Sequence, residues 1–597
     1  SLIVDLFRFL PGEWVLFYSV RERRSLRANA RGALQAQITP PGFPQAGMIR
    51  KLAFKSYPEP IMVRYLRHTP AIVLASASFL LTACQDSSSP AELPTRQSEV
   101  EVADIAWFEG TVEQAFAEAQ TQQRPVYLYW GAVWCPPCQE IKNTVFKSKQ
   151  FIAQTEQFIP VYLDGDTQQA QTWGETFGVK GYPTMIVFNP AGDEITRIPG
   201  GIDIDRYNRV LALSLDHMRP TAMLVELALN DPNQLQASDY QQLAYYSWGQ
   251  DHKALPEGSS PELFHQLAAR VRDADPEASA RLYLQGLVLQ SESSLLESST
   301  QDDGTQAGPE QLHQILETPE LVLACWDYLA YWPEEIDRVL NLEGDARSAL
   351  HSNWQDAVLS AMHHPTLSVA EQLGGWFPYL TFYLEDDEDG EKALPETVIE
   401  AIRTDAKSAD DQTRNTHARQ SVVNMIRYLY SSAKLNDDAR QLLLAELERS
   451  ASPYYFMSSL ASLSESEGKT EEALKWRRMA YEASTGTATR FQWGVNYVRA
   501  LIRLQPDDHA SITTTSVALF EELGNGGEEV FLGRNFRYLS GLNEQLRTWE
   551  VEQGAPMGQA LLHAFDARLE SLCAQQEPAS IGDDHCSQLL TERVGDS

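Results

Sequence analysis

Two cysteines separated by two residues, Cys135 and Cys138, are the side chains whose types and spacing most directly permit chemistry. They stand in Trp134-Cys135-Pro136-Pro137-Cys138, after an apolar run at 126–130 that fits a strand and before a segment at 139–146 that fits a helix. A thiol at a helix start meets unpaired backbone N–H groups and the positive end of the helix dipole, and both favour its thiolate. Such a thiol has its pKa lowered to roughly 3.5–7.5 and attacks near neutral pH. Cys138, one turn on, closes on the resulting mixed disulfide, so the pair reads as a redox dithiol. Half of a zinc site is the competing use of this spacing, but it requires a second Cys pair or a His pair. The 12 His are scattered and none pairs at metal-ligand spacing, so neither a metal nor another cofactor is expected.

A second segment lies downstream, leaving room for an intervening strand and helix. Residues 177–188 read as loop, proline and strand, with Tyr182-Pro183-Thr184 at the junction. Residues 189–193 form a turn, and 194–198 a return strand. Together these motifs resemble the thioredoxin superfamily over residues 102–218. Tyr182-Pro183-Thr184 is similar to the loop of protein disulfide isomerase domains. Residues 138–146 are similar to the C-terminal domain of the bacterial electron-transfer protein DsbD, and the Pro-Pro dipeptide to the TlpA and ResA type.

The resemblance implies an α/β thioredoxin-like fold in which Pro183 is cis and faces the cysteines. It implies that Cys135 attacks, that Cys138 resolves, and that Trp134, Tyr182, Pro183 and Thr184 bind substrate. One position departs from the pattern. Thioredoxins carry a buried Asp six residues before the first cysteine, and here that residue is Tyr129. A phenol is a poor base at neutral pH. Glu140, two residues past Cys138, is the candidate for proton transfer in its place; its alternative is a solvated surface glutamate.

The stretch before this region points to export. A basic segment at 62–68, an apolar run at 71–81 and Leu81-Thr82-Ala83-Cys84 have the order of a secretory signal. The apolar run is too short for an ordinary transmembrane helix. Leu-Thr-Ala-Cys resembles the bacterial lipobox, which implies lipidation of Cys84 and a membrane anchor in the periplasm. Gln85 rather than Asp after the cysteine favours the outer over the inner membrane. Residues 62–83 are then a lipoprotein signal peptide, 84–101 a flexible linker, and 1–61 translated upstream sequence without structure. A plain signal peptide followed by a coincidental cysteine is the competing reading.

Composition is compatible with this plan. The chain has 597 residues with 48 Lys+Arg and 82 Asp+Glu, a net charge of −34, which excludes nucleic acid as a natural partner. Residues 1–83 hold 11 Lys+Arg against 4 Asp+Glu, so the remainder is more acidic than the whole. The length allows two to four domains.

Residues 102–219 are assigned to the thioredoxin-like domain and 220–597 to a large all-α region. Apolar residues recur there at helical spacing over 222–229, 240–248, 261–272, 277–289, 312–341, 346–362 and 369–384, with a loop expected at 290–310. Residues 460–480 resemble one tetratricopeptide repeat, with Ala461, Gly468, Ala473 and Ala480 where two helices touch. The region reads as a TPR-like solenoid of helical hairpins, or as a compact bundle. Cys325 lies in an apolar helix and reads as a buried small residue. Cys573 and Cys586 are expected to pair as a structural disulfide in an exported protein.

The function expected is that of a lipid-anchored periplasmic thiol–disulfide oxidoreductase, an enzyme working as a reductase on protein disulfides. A DsbD-like membrane protein is its implied electron donor, and an unidentified protein partner is expected on the helical region. The alternative is a helical-repeat binding or scaffold protein whose thioredoxin-like domain is a redox sensor or non-catalytic.

Overall fold

The computed structural model describes residues 105–251, 254–256, 259–296, 308–385, 387, 392–523, 528–553, 556–578 and 580–591. The upstream segment, the signal region, Cys84 and the linker lie outside the described residues. So do residues 386 and 388–391, in the acidic stretch that follows Glu385.

The first part is a four-stranded mixed sheet flanked by helices. Its elements are α1 (Val112–Gln122), β1 (Val126–Gly131), α2 (Pro136–Asn143), α3 (Lys149–Gln154), β2 (Ile159–Asp164), α4 (Gln168–Thr176), β3 (Thr184–Phe188), β4 (Glu194–Arg197) and α5 (Ile204–His217). The strand order is β2-β1-β3-β4. β1 runs parallel to β2 and antiparallel to β3, and β3 runs antiparallel to β4.

Local chemistry explains the boundaries. Thr111 opens α1 with a capping box closed by Gln114. Asp203 opens α5, its carboxylate accepting from the Asp205 and Arg206 N–H groups. All six residues of β1 are buried, as its unbroken apolar run requires of a central strand covered on both faces.

The register of the sheet positions the dithiol. Trp130 pairs with Thr184 across β1 and β3, so the residues following β1 and those preceding β3 meet at one edge. The Cys135–Cys138 segment and Pro183 are therefore neighbours although 45 residues of chain, with β2 and α4, separate them.

Past α5 the described chain is all helix. Several helices differ in extent from their sequence-based bounds. Helix Pro276–Leu296 runs into the start of the expected loop, continuing a helix already anchored by Leu282, Leu284 and Leu287. The run expected at 312–341 is divided into four short helices, with Pro319 and Pro333 each restarting one at its first turn. Pro378 likewise opens helix Phe377–Tyr383, separating it from Val369–Gly374. The repeat-like segment forms the hairpin Pro453–Ser466 and Thr470–Ala483, with Gly468 at positive φ between the two helices.

The described residues belong to one compact unit. Alternate residues of β1 face opposite sides, and each side joins a different part of the helical region. Tyr127 and Tyr129 pack into a core that continues through helical residues such as Leu224, Leu282 and Ile426. Val126, Leu128 and Trp130 share the other core with Trp134, both cysteines, Tyr455, Trp493 and Leu539. The helices thus complete both layers of the sheet.

A buried dithiol between the sheet and the helical region

Cys135 is the N-cap of α2, and Pro136 and Pro137 occupy the first two helical positions, where a missing N–H costs nothing. The two sulfurs are joined in a disulfide. The Cys138 backbone N–H donates to Cys135 Sγ at 3.2 Å, a bond that strengthens when the sulfur carries charge. Across the edge, the Tyr182–Pro183 peptide is cis. The Tyr182 carbonyl oxygen lies 3.4 Å from Cys135 Sγ. Thr184 donates its hydroxyl to the Gly181 carbonyl at 2.9 Å and so braces this loop from within.

Tyr129 is buried beneath the dithiol helix, and its hydroxyl reaches the Cys138 carbonyl at 3.4 Å. Burial raises its pKa, with the neighbouring Tyr162 adding to the effect, so it remains a neutral phenol. Glu140 is half-buried and accepts a hydrogen bond from Ser421 at 2.6 Å, which ties it to the helical region. Glu371 lies in the same electrostatic neighbourhood, its pKa pushed up to about 8 by burial and further raised by Glu140.

Both cysteines are 0% exposed, while Val133, two residues before Cys135, is 47% exposed. The cover comes from the helical region. Helix Thr416–Ser432 packs along α2, and Gln420 donates to the Trp134 carbonyl at 3.0 Å. The Trp134 ring stacks on Tyr455 and meets Trp493 edge-on. Its Nε1 donates to Thr489 Oγ1 at 2.8 Å. Asp166, after β2, accepts from the Thr489 N–H and hydroxyl at 2.6 and 2.7 Å.

Helix Gly533–Gln553 presses its first turns on the same edge. Glu175 accepts from the Gly533 N–H at 2.8 Å, and Arg537 donates to the Val179 and Lys180 carbonyls at 3.0 and 2.8 Å. Behind the cis bond, Gln250 donates to the Pro183 carbonyl at 3.0 Å.

The structure therefore brings together Trp134, Cys135, Cys138, Tyr182, Pro183 and Thr184. Glu140 sits on the same helix but is engaged with Ser421. Sequence reasoning missed Asp166, Gln420, Ser421, Thr489 and Arg534, which no short-range motif connects with the cysteines.

Elsewhere, Cys573 and Cys586 form a disulfide between helices Pro556–Cys573 and Ile581–Thr591. Cys325 is buried, and burial pushes its pKa up to about 12, leaving an inert thiol. Asp337, His351 and Glu385 converge at a spacing compatible with a metal, but Arg347 pairs with both carboxylates there.

A family profile described as a thioredoxin-like domain matches residues 112–214. Among solved structures, a DsbH oxidoreductase is similar at 16% identity, over 18% of this chain and 83% of that one, with a TM-score of 0.16. No curated protein matches. Residues 112–214, which carry the Cys135–Cys138 pair and the cis-proline loop, are a thioredoxin-like domain.

Proposed function

We propose that this protein is a thiol–disulfide oxidoreductase that reduces protein disulfides through Cys135 and Cys138. The observation that carries the reading is the Cys135–Cys138 bond at the N-terminus of α2, opposite the cis Tyr182–Pro183 loop. In the reduced state the Cys135 thiolate attacks a substrate disulfide, forms a mixed disulfide and expels one substrate thiolate, which takes a proton. Cys138 then loses its proton and attacks Cys135 Sγ. The second substrate thiol leaves and the Cys135–Cys138 bond re-forms. Two electrons from an external dithiol donor, a DsbD-like membrane protein in this proposal, restore the pair. The Pro-Pro dipeptide offers no charged or hydrogen-bonding side chain between the cysteines, which favours the reducing direction. The lipobox-like Leu81-Thr82-Ala83-Cys84 supports a lipid anchor at Cys84 and a periplasmic, outer-membrane location.

A second reading rests on the burial of both sulfurs. A dithiol beneath the helical region is suited to sensing: its redox state would alter how the helices sit, and through them the binding of a partner. The two readings separate in one experiment with the full chain. A Cys138→Ala variant should accumulate mixed disulfides with substrate proteins through Cys135. If no such adducts form while oxidation changes the protease sensitivity of the helical region, the sensor reading stands instead.

A further inference from the structure

Arg534 stands in the first turn of helix Gly533–Gln553, is 7% exposed, and comes from the helical region rather than the thioredoxin-like domain. Its guanidinium lies 5.4 Å from the Trp134 ring and 5.2 Å from the Tyr182 ring. Those two residues flank the attacking sulfur: Trp134 is bonded to Cys135, and the Tyr182 carbonyl is 3.4 Å from its Sγ. A buried cation thus sits across the two rings that frame the dithiol.

Its hydrogen bonding is incomplete. Nη2 makes long contacts of 3.3 to 3.4 Å with Thr489 Oγ1, the Gly165 carbonyl and Asp166 Oδ1. Nε and Nη1 have no hydrogen-bond partner among the described residues. A buried guanidinium with two idle donors has capacity left for a second anion, beyond Asp166, in some state of the protein.

The charges around it identify that state. Asp166 is its ion-pair partner, at 3.4 Å. Asp166 also accepts two bonds from Thr489, and Glu175 is turned to the Gly533 N–H. Arg537 adds a second cation on the same helix, and Glu140 on α2 is bound to Ser421. The nearby phenols of Tyr129, Tyr454 and Tyr538 are held neutral by burial. The group at this edge that gains negative charge in the reaction is Cys135.

We infer that Arg534 is an electrostatic positioning residue of the dithiol site, supplied by the helical region to stabilise the Cys135 thiolate. Reduction by a small dithiol shows the balance. The donor yields two electrons and two protons and closes its own disulfide, while the Cys135–Cys138 bond breaks. Cys138 takes one proton, the other goes to solvent, and Cys135 retains the charge. A cation held across the two rings that flank that sulfur favours the reduced state, so it lowers the Cys135 pKa and raises the reduction potential, opposing in part the reducing bias of the Pro-Pro dipeptide. The inference rests on the oxidoreductase reading only in requiring that the disulfide can be reduced.

The test is thiolate absorbance near 240 nm against pH on the reduced full chain, with a Cys135→Ser chain as blank for the other thiols. Equilibration with dithiothreitol gives the potential. Arg534→Gln should raise the Cys135 pKa by about one unit and make reduction about tenfold less favourable, roughly 30 mV. Arg534→Lys should fall between the parent and Arg534→Gln. Asp166→Asn, which removes the opposing carboxylate, should lower the pKa, the reverse direction. If Arg534→Gln does not fold, the Lys and Asn variants still carry the opposite-sign comparison. Coincident titrations of the parent and the Arg534 variants overturn the inference, as do Arg534 and Asp166 substitutions that shift the pKa in the same direction. A parent disulfide that resists dithiothreitol would sink the oxidoreductase reading instead.

Discussion

The Trp134 indole N–H donates to Thr489 Oγ1 at 2.8 Å, across 355 residues of sequence. The residue next to Cys135 is thus fastened to the start of helix Thr487–Leu504, and the same Thr489 is fastened to Asp166 of the thioredoxin-like domain. A protein disulfide must reach Cys135 Sγ to react, and at 0% exposure it cannot. Opening of this seam is therefore a step of any reaction on a large substrate.

Protection of Cys135 is the first consequence. Alkylation of the reduced full chain should be much slower at Cys135 than in the same chain unfolded in denaturant. Gly486 offers a way to loosen the seam without touching the dithiol. It has φ of 86°, and a Cβ there would collide with the Asp166 carboxylate. Gly486→Ala should weaken the Asp166–Thr489 bonds and speed labelling tenfold or more, as expected for loss of about 1.4 kcal/mol or more from a charge-assisted contact. Equal labelling rates in the folded parent and the unfolded chain would show that the seam protects nothing.

Separating the two parts has a second, opposite pair of effects. Residues 102–218 alone would uncover the dithiol, so Cys135 should react quickly with small disulfides. They would also expose Trp134 and Tyr182, now at 3% and 6% exposure, each large side chain representing about 1.5–3 kcal/mol of burial. The fragment should therefore melt lower than the full chain and bind a hydrophobic dye. A fragment that melts with the full chain and binds no dye would mean that the shared cores contribute little to its stability.

The parts of this site that were legible in the sequence are those whose partners are close along the chain or fixed by sheet register. Cys135, Pro136 and Cys138 declare a helix start, and the proline before an apolar strand declares the loop that β1–β3 pairing brings to it. The helical character of 220–597 followed from apolar spacing. What could not be read was which face of which helix meets the dithiol. Gln420, Thr489 and Arg534 are ordinary polar residues in sequence, and they become site residues only because both faces of the sheet are completed by distant helices. The sequence led only to a protein partner expected on the helical region, whereas its helices also cover both sulfurs.

The Cys573–Cys586 bond closes a short loop between the last two described helices. A loop of this length is worth about 3 kcal/mol in the chain-entropy account. Cys586→Ser should lower the thermal midpoint of the full chain and increase protease cutting between the two helices, with the Cys135 potential unchanged. An unchanged midpoint would indicate that packing of Leu569, Leu572 and Leu589 alone holds this end together.

Glu371 gives the chain a pH-dependent stability with a definite sign. It is the N3 residue of the capping box that opens helix Val369–Gly374, accepting the Ser368 N–H at 2.7 Å. Burial pushes its pKa up to about 8, and the Glu140 carboxylate adds to the rise, against the Ser368 bonds that pull it down. In the unfolded chain a glutamate titrates near ~4.3. Between those two values the folded protein holds a proton that the unfolded chain has released. Stability from this group is therefore complete below about pH 4.3, declines as pH rises, and is lost above about 8, with a slope of at most about 1.4 kcal/mol per pH unit. Glu371→Gln keeps the capping geometry and removes the titration, so the urea midpoint of the parent should fall relative to that of the variant between pH 5 and pH 8.5. Glu140→Gln should lower the Glu371 pKa and shorten the window from its upper end. Parent and Glu371→Gln midpoints that stay parallel across the window would mean that Glu371 is ionised throughout, with its charge carried by solvent rather than suppressed by burial.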